Sequence, residues 1–213
     1  MRAAALAATT ALVVSGCGSS LEDDISRAKD TSLSAVSRCS AMDEVAREGE
    51  AGVATLHQLA QSKDQRVARC ATTALAGITD AEAVDELLPL LADHRQDVVV
   101  SATTALGRIG DRDAVKPVER LLDSRDAIVV IASLHALQRL GDRRSAPAVE
   151  RVALRPTSTT AADAEWRTAR RLAVTALGIL GNPSSRGTLV QILSSNRPDA
   201  RDGRHGTGAG LQA

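Results

Sequence analysis

Apolar residues along this chain recur at helical spacing, in paired segments that repeat at a nearly fixed interval. In the best-formed pair, Val115, Val118 and Leu121 fall on one face of a first helix. Val129 and Leu137 fall on one face of a second helix that follows a short polar turn. Each pair therefore predicts a helical hairpin, and the interval between pairs is typical of a stack of such hairpins.

A nearly constant phrase of the type Ala-Leu-Gly-x-Ile-Gly-Asp closes the second helix of each pair. It occupies residues 74–80, 105–111, 136–142 and 176–182. The first three phrases begin at equal intervals, and the fourth follows after a longer one. The glycine before the final Asp or Asn predicts a left-handed residue that ends the helix. Thr79 replaces this glycine in the first phrase, so that helix end is expected to be less well formed.

These patterns predict an all-α fold, a right-handed α-solenoid of about four hairpins over residues 48–194. The fourth hairpin is expected to contain an insert loop at residues 155–162, and a half repeat is expected to close the stack. Residues 21–47 predict an N-terminal capping helix, and the alternative is that this helix is broken. The segment 195–213 is poor in apolar residues and predicts a disordered tail. Pro89 lies inside a first helix and predicts either a bend or a short preceding turn there.

The N-terminal leader predicts export. Residues 3–14 are uncharged and mostly apolar, which fits the core of a signal peptide at residues 1–16 but is too short to span a bilayer. The run Val14-Ser15-Gly16-Cys17 resembles the lipobox of bacterial lipoproteins. This resemblance implies lipidation of Cys17, a short tether at residues 17–20, and a location in the cell envelope. In a Gram-negative cell the location would be the outer membrane or a periplasm-facing surface. The alternative is an ordinary secretory signal in which Cys17 is incidental.

Two further cysteines, Cys39 and Cys70, lie one repeat interval apart in similar contexts. An oxidising compartment permits a disulfide between them. Equivalent positions on stacked helices are about 8–10 Å apart, however, whereas a disulfide needs Cα atoms closer than about 7 Å. The bridge therefore requires the first helix to slip out of strict register, and two buried free thiols are the equal alternative.

The pattern Val-x-x-x-Ala-x-x-Ala-Leu-Gly-x-Ile-Gly-Asp at residues 98–111 resembles HEAT-like repeats of the short bacterial type, often called phycobilisome-lyase-type HEAT repeats. The resemblance covers about residues 50–194. It implies a helical solenoid in which the second helices line a concave face. The fold hosts many roles, so the resemblance implies no particular one.

Composition excludes several classes of function. Lys+Arg and Asp+Glu both number 26, so the chain has no excess of positive charge for a phosphate backbone. Trp166 is the single aromatic residue, which argues against recognition of bases by stacking. The four histidines are scattered, and no Cys/His cluster has the spacing of a zinc site. We therefore expect no catalytic residues, metal, cofactor, small-molecule substrate or nucleic-acid partner.

The second helices of the middle repeats carry apolar residues off their core stripe, and these predict a groove for a partner protein. The predicted groove residues are Val100, Thr103, Thr104, Ile131, Leu134, His135, Gln138 and Arg171. The alternative is that the apolar members pack against neighbouring second helices.

Three hypotheses for function follow. The first is a non-catalytic scaffold, tethered to the bacterial envelope, that binds protein partners in the concave groove. The second is a structural or assembly accessory of an envelope complex. The third, a lyase-like enzyme or a chaperone for a covalent cofactor, follows from the family resemblance alone.

Overall fold

The computed structural model describes residues 20–157 and 163–195, which form helices and no strands. The α-helices of these residues are α1 (Leu21–Lys29), α2 (Ala35–Arg47), α3 (Glu50–Ala60), α4 (Gln65–Gly77), α5 (Val84–Leu87), α6 (Gln96–Ile109), α7 (Val115–Arg120), α8 (Ala127–Leu140), α9 (Ala146–Ala153), α10 (Ala164–Leu180) and α11 (Arg186–Ser195). The predicted leader with Cys17, most of the insert loop and nearly all of the predicted tail lie outside the described residues.

The helices form two layers, as expected for an all-α solenoid. Helices α2, α4, α6, α8 and α10 pack side by side in sequence, and we call them the second-helix layer. Helices α1, α3, α7 and α9 each pack against the second helix that follows them. The core lies between the layers, where the leucine of each repeated phrase is fully or almost fully buried: Leu75, Leu106, Leu137 and Leu177. Burial of this repeated position holds consecutive hairpins together.

The repeated phrase ends one helix and starts the next element. Gly110, Gly141 and Gly181 follow α6, α8 and α10 in the left-handed conformation, which confirms their predicted role. The following Asp or Asn then accepts a hydrogen bond from the backbone N–H two residues later and begins a 3₁₀ turn. Helix α4 ends instead at Gly77, with Ile78 extended, which confirms the weaker helix end predicted there.

The first helices of the middle repeats are short because each is divided into α-helical and 3₁₀ segments. Helix α5 has four residues and gives way to the 3₁₀ segment Leu88–Ala92, which contains Pro89. Proline has no N–H to continue an α-helical ladder, which accounts for the change from α-helix to 3₁₀ segment at this position. Pro117 is tolerated inside α7 because it lies near the start of that helix, where N–H groups have no partners within the helix.

The N-terminal segment 21–47 is a helical hairpin rather than one continuous capping helix, so the alternative of a broken helix is correct. Helix α1 ends at Lys29, the backbone of the next residue, Asp30, is extended, and Ser34 caps α2. Asp30 accepts hydrogen bonds from the Ser32 hydroxyl and N–H, which lower the pKa of the Asp30 carboxyl. This local turn interrupts the helix, although the apolar periodicity of the sequence continues through it. The solenoid therefore has a further hairpin before the four that were predicted.

A disulfide joins Cys39 of α2 to Cys70 of α4, with the two Cα atoms 5.2 Å apart. The strict repeat register would place these atoms about one helix spacing apart. Burial shows that α2 departs from this register: Val36 is 80% exposed, whereas Val67, at the equivalent position of the next repeat, is 4% exposed. Met42 is conversely buried, whereas Thr73 is exposed. Helix α2 is therefore turned relative to the later second helices, which brings the two cysteines together.

Candidate binding groove

A groove of about 450 Å³ runs between α6 and α8, in the middle of the second-helix layer. It is lined by Val100 and Thr104 of α6 and by Ile128, Ile131, Ala132, His135, Ala136 and Arg139 of α8. We call this surface the α6–α8 groove. Four of the predicted groove residues, Val100, Thr104, Ile131 and His135, are thus brought together by the fold.

The lining residues lie on one ridge of each helix. On α8, the positions 128, 131, 135 and 139 are three or four residues apart and therefore face the same side. On α6, the positions 100 and 104 are four residues apart and likewise face the same side. The Thr104 hydroxyl donates to the Val100 carbonyl, 2.8 Å away, so its proton is engaged within the helix. Ile128 is 41% exposed, whereas Val100 and Ile131 are partly buried and Ile131 also packs against the core, so the apolar surface of the groove is partly open to solvent.

Two predicted groove residues, Thr103 and Leu134, were wrongly assigned, because neither is accessible from the groove. Both are 0% exposed. They occupy equivalent positions of consecutive repeats, on the side of α6 and α8 that packs within the stack. The Thr103 hydroxyl donates to the Val99 carbonyl at 2.7 Å, which satisfies its buried donor. For Leu134, the alternative of packing inside the stack is therefore correct.

The other two predicted residues lie outside the lining of this groove. Gln138 is partly buried on α8, and its Nε2 is buried with no hydrogen-bond partner among the described atoms. Arg171 is exposed on α10, the next helix of the layer. The sequence prediction did not include Ile128 and Arg139, although positions 128, 131, 135 and 139 have a regular helical spacing. It combined residues that line the groove with neighbouring residues that are buried in the stack.

A glycine brings the two walls of the groove close together near one end. A Cβ built on Gly107 of α6 would lie 2.7 Å from the Cα and 2.8 Å from the Cβ of Ala136 on α8. These distances are shorter than carbon–carbon contacts allow. The missing side chain of Gly107 therefore sets the spacing of α6 and α8 and with it the width of the groove.

One arginine lies in the lining of the groove. It is Arg139 of α8, whereas the exposed Arg108 of α6 donates to the Ala76 carbonyl of α4 at 3.1 Å. Asp97, near the start of α6, pairs with Arg95 at 3.1 Å. The lining itself, all of it among the described residues, contains no carboxylate. The lining is therefore mostly apolar and carries the positive charge of Arg139.

A second groove, of about 500 Å³, lies at the N-terminal end of the layer. Its lining includes the exposed Val36, the disulfide between Cys39 and Cys70, and the side chains of Arg66 and Arg69. Arg69 also lines a smaller groove of about 390 Å³ between α4 and α6. The second-helix layer thus offers several adjacent concavities, of which the α6–α8 groove has the largest number of branched apolar side chains in its lining.

The titratable pair His57 and Asp93 lies away from the α6–α8 groove. His57 Nε2 of α3 is 2.7 Å from Asp93 Oδ2, and the Arg95 N–H donates to Asp93 Oδ1 at 2.8 Å. Burial of Asp93 opposes ionisation, but these two hydrogen bonds and the charge of the neighbouring histidines outweigh it, so the Asp93 pKa is lowered. The pair holds the turn before α6 against the preceding repeat.

Asp142, which follows Gly141, carries a larger pKa shift. The Arg144 side chain donates to both Asp142 carboxylate oxygens, and the Arg144 N–H donates to one of them. These bonds, with a smaller contribution from the charge of Arg112, lower the Asp142 pKa from 3.8 to about 2. Asn182 makes the same backbone contact in the next repeat and also donates to the Arg143 carbonyl at 3.1 Å. These residues therefore stabilise repeat junctions.

The part of the chain that the structure describes contains neither a cluster of metal ligands nor a helix able to span a membrane. Residues 20–157 and 163–195 contain no group of three or more His, Cys, Asp or Glu side chains placed to hold a metal ion. Among the helices of the same residues, none combines the length and apolarity needed to cross a membrane.

One family model matches the part of the chain that contains the groove. Residues 96–166, which include α6 to α9 and both walls of the α6–α8 groove, match the family model described as HEAT repeats. No curated protein matches the chain.

The solved structures that are similar to the chain include engineered repeat proteins. An engineered protein is 23% identical, with a TM-score of 0.49, over 82% of this chain and 85% of that chain. A designed armadillo repeat protein in complex with the peptide (KR)4 is 18% identical, with a TM-score of 0.46, over 74% of this chain and 81% of that chain. A computationally designed armadillo repeat protein for modular peptide recognition is 17% identical, with a TM-score of 0.47, over 75% and 81%.

Proposed function

We propose that this protein is a non-catalytic interaction scaffold whose α6–α8 groove binds a segment of a partner protein. The observation that carries the proposal is the apolar floor in the middle of the second-helix layer, where Ile128 is exposed beside the partly buried Val100 and Ile131. Exposed apolar surface of this kind is unfavourable in water unless a partner covers it. A repeat solenoid is a fold typical of protein-interaction scaffolds, and the match to HEAT repeats spans this groove.

The groove chemistry supports binding rather than catalysis. Its lining contains His135 and Thr104 as the groups able to act as a base or a nucleophile. The Thr104 hydroxyl already donates to the Val100 carbonyl, and no carboxylate in the lining orients the His135 ring. Nucleophilic catalysis requires a nucleophile, a base and an orienting group within hydrogen-bond reach of each other. The described lining lacks this arrangement.

We propose also that the scaffold is exported and held at the bacterial envelope through a lipid on Cys17. The support is the lipobox-like run Val14-Ser15-Gly16-Cys17 behind a short apolar segment. A tethered solenoid would present its groove to envelope proteins. Mass analysis of the mature N-terminus tests this tether. An acylated N-terminal cysteine is expected, and a Cys17→Ser variant should leave the membrane fraction, whereas an unmodified Cys17 in the mature chain would refute the tether.

Site-specific photo-crosslinking tests the groove. A photoreactive amino acid at Ile128, which is 41% exposed in the groove, is compared with the same residue at Val190, which is 65% exposed on α11. One discrete adduct is expected from Ile128 and none of that mass from Val190. The crosslinked segment, identified by mass spectrometry and made as a peptide, should then bind the purified protein. Binding should be lost in an Ile131→Glu variant that keeps its helical circular dichroism.

Two results would overturn the groove as the binding surface. The first is equal crosslinking from Ile128 and Val190, because both positions would then report chance contacts. The second is unchanged peptide binding by a folded Ile131→Glu variant, because a charge on the groove floor must oppose burial of an apolar ligand.

A further inference from the structure

Charge is divided unevenly between the two layers of the solenoid. In the second-helix layer, α4, α6, α8 and α10 contain seven arginines, no lysine, and the two acidic residues Asp97 and Glu165, and α2 adds two arginines and two acidic residues. The first helices α3, α5, α7, α9 and α11 carry nearly equal numbers of acidic and basic residues. The whole chain has a formal net charge of zero. The fold therefore gathers positive charge on the layer that contains the groove.

Five of the arginines on α4, α6, α8 and α10 are exposed. They are Arg66, Arg69, Arg108, Arg139 and Arg171. Within residues 20–157 and 163–195, no ion pair to a carboxylate is recorded for any of the five. Asp97, by contrast, is already paired with Arg95. The layer thus presents positive charge that the described chain does not neutralise.

The arginines bracket the apolar floor in one row. Arg69, Val100, Ile131 and Arg171 occupy the same repeat position on α4, α6, α8 and α10. Each of these helices packs against the next. A ligand that runs across the layer therefore meets a cation, two branched apolar side chains and a second cation.

We propose that the segment bound in the α6–α8 groove is acidic, with apolar side chains at its centre and carboxylates on both sides. This inference rests on the proposed function and adds the chemistry of the partner. Three helix spacings of about 8–10 Å place the two flanking arginines roughly 27 Å apart. An extended chain advances about 3.3 Å per residue, so its flanking carboxylates lie roughly eight residues apart.

A nucleic acid is the other polyanion that a basic surface attracts, but the groove does not suit one. Single-stranded nucleic acids are held by aromatic side chains on which bases stack. The groove lining has no Phe, Tyr or Trp, and its centre is aliphatic. An acidic peptide uses both features of the row, because its apolar residues cover Val100 and Ile131 while its carboxylates meet the arginines.

Fluorescence anisotropy with labelled peptides tests this inference. The probes are EESLSISEE, the charge-reversed KKSLSISKK, EESSSSSEE without apolar residues, and a single-stranded oligothymidine. The protein is the mature chain at low and high salt. EESLSISEE is expected to bind most tightly at low salt, and its advantage should shrink as salt rises because exposed charges are screened. Loss of its apolar centre should weaken binding at both salt concentrations.

Matched arginine variants locate the charge effect. An Arg69→Gln/Arg171→Gln variant should bind EESLSISEE more weakly, by about 1.5- to 5-fold for each arginine, the range of an exposed ion pair. An Arg120→Gln/Arg186→Gln variant removes one exposed arginine from each of the first helices α7 and α11 and should bind as the wild type does. Equal weakening by both variants would refute a role for the row itself.

The outcomes separate this inference from the proposed function. If KKSLSISKK binds as well as EESLSISEE, and Ile131→Glu abolishes both, the groove binds peptides but the acidic partner is wrong. Tighter binding of the oligothymidine would overturn the peptide in favour of nucleic acid. Failure of all three peptides, together with a specific adduct at Ile128, would overturn the acidic motif and leave the groove as the binding surface.

Discussion

Two glycines with the same local sequence provide a direct test of how the second helices pack. Gly107 and Gly178 each follow Ala-Leu and each lie two residues before the end of their helix, α6 or α10. A Cβ on Gly107 would collide with the backbone of Ala136 at 2.7 Å, whereas a Cβ on Gly178 would meet nothing within 4 Å. Replacement by alanine should therefore have opposite effects at the two sites.

The expected magnitudes come from two terms. Gly→Ala inside a helix stabilises by up to about 1 kcal/mol, because alanine loses less backbone entropy on folding. This term is common to both variants. Gly107→Ala adds an overpacking term of about 1–3 kcal/mol, because α6 and α8 must move apart to relieve a contact with backbone. The two variants should therefore differ by about 1–3 kcal/mol in their free energy of unfolding, with Gly178→Ala the more stable.

Urea denaturation of the wild type and both variants measures this difference. Far-UV circular dichroism reports the whole stack, and fluorescence of Trp166, the single tryptophan, reports α10. Coincident transitions are required before one free energy is assigned, because stacks of repeats can lose cooperativity. The difference between the two variants isolates the clash, since the helix-propensity term cancels.

One result would refute the reasoning. If Gly107→Ala raises the free energy of unfolding as much as Gly178→Ala does, α6 and α8 do not approach each other closely at Gly107. The spacing of the α6–α8 groove would then be wrong, and with it the arrangement of its lining.

Three further predictions follow from the described contacts. Replacement of Cys39 and Cys70 by serine should lower the free energy of unfolding by about 3–4 kcal/mol in urea, the loop-closure value for their sequence separation of 31. If alkylation without reduction shows that the wild type is bridged and the serine variant is still equally stable, the prediction is contradicted. Leu134→Ala should cost about 2–5 kcal/mol, because Leu134 is fully buried, whereas Ile131→Ala should cost clearly less; equal losses would count against the open groove. Because the folded pKa of Asp142 is lowered, its stabilising effect is present above pH 3.8 and is lost as pH falls toward about 2. The stability gap between the wild type and Asp142→Asn should shrink over that interval in acid titrations, and a constant gap would argue against the shift.

The residues that line the α6–α8 groove could be predicted from the sequence only in part. The periodicity identified Val100, Thr104, Ile131 and His135, which the fold does bring together. It also selected Leu134, which is buried. Neighbouring helical positions differ by about 100° around the axis, so a stripe defined by apolar spacing is uncertain by one position at its edges. Whether an apolar residue at such an edge faces solvent depends on the adjacent helix.

The sequence by itself determined the local elements of this protein. Apolar spacing specified the hairpins, and the glycines and Asx residues of the repeated phrase specified where helices end and the next turns begin, because both act through contacts within a few residues. Only the tertiary structure decided which neighbour each face meets. It turned α2 so that Cys39 reaches Cys70, and it placed Gly107 against Ala136 while leaving Gly178 open. The same phrase thus has two environments, because α8 follows α6 in the layer whereas α10 is the last helix of that layer in the described chain.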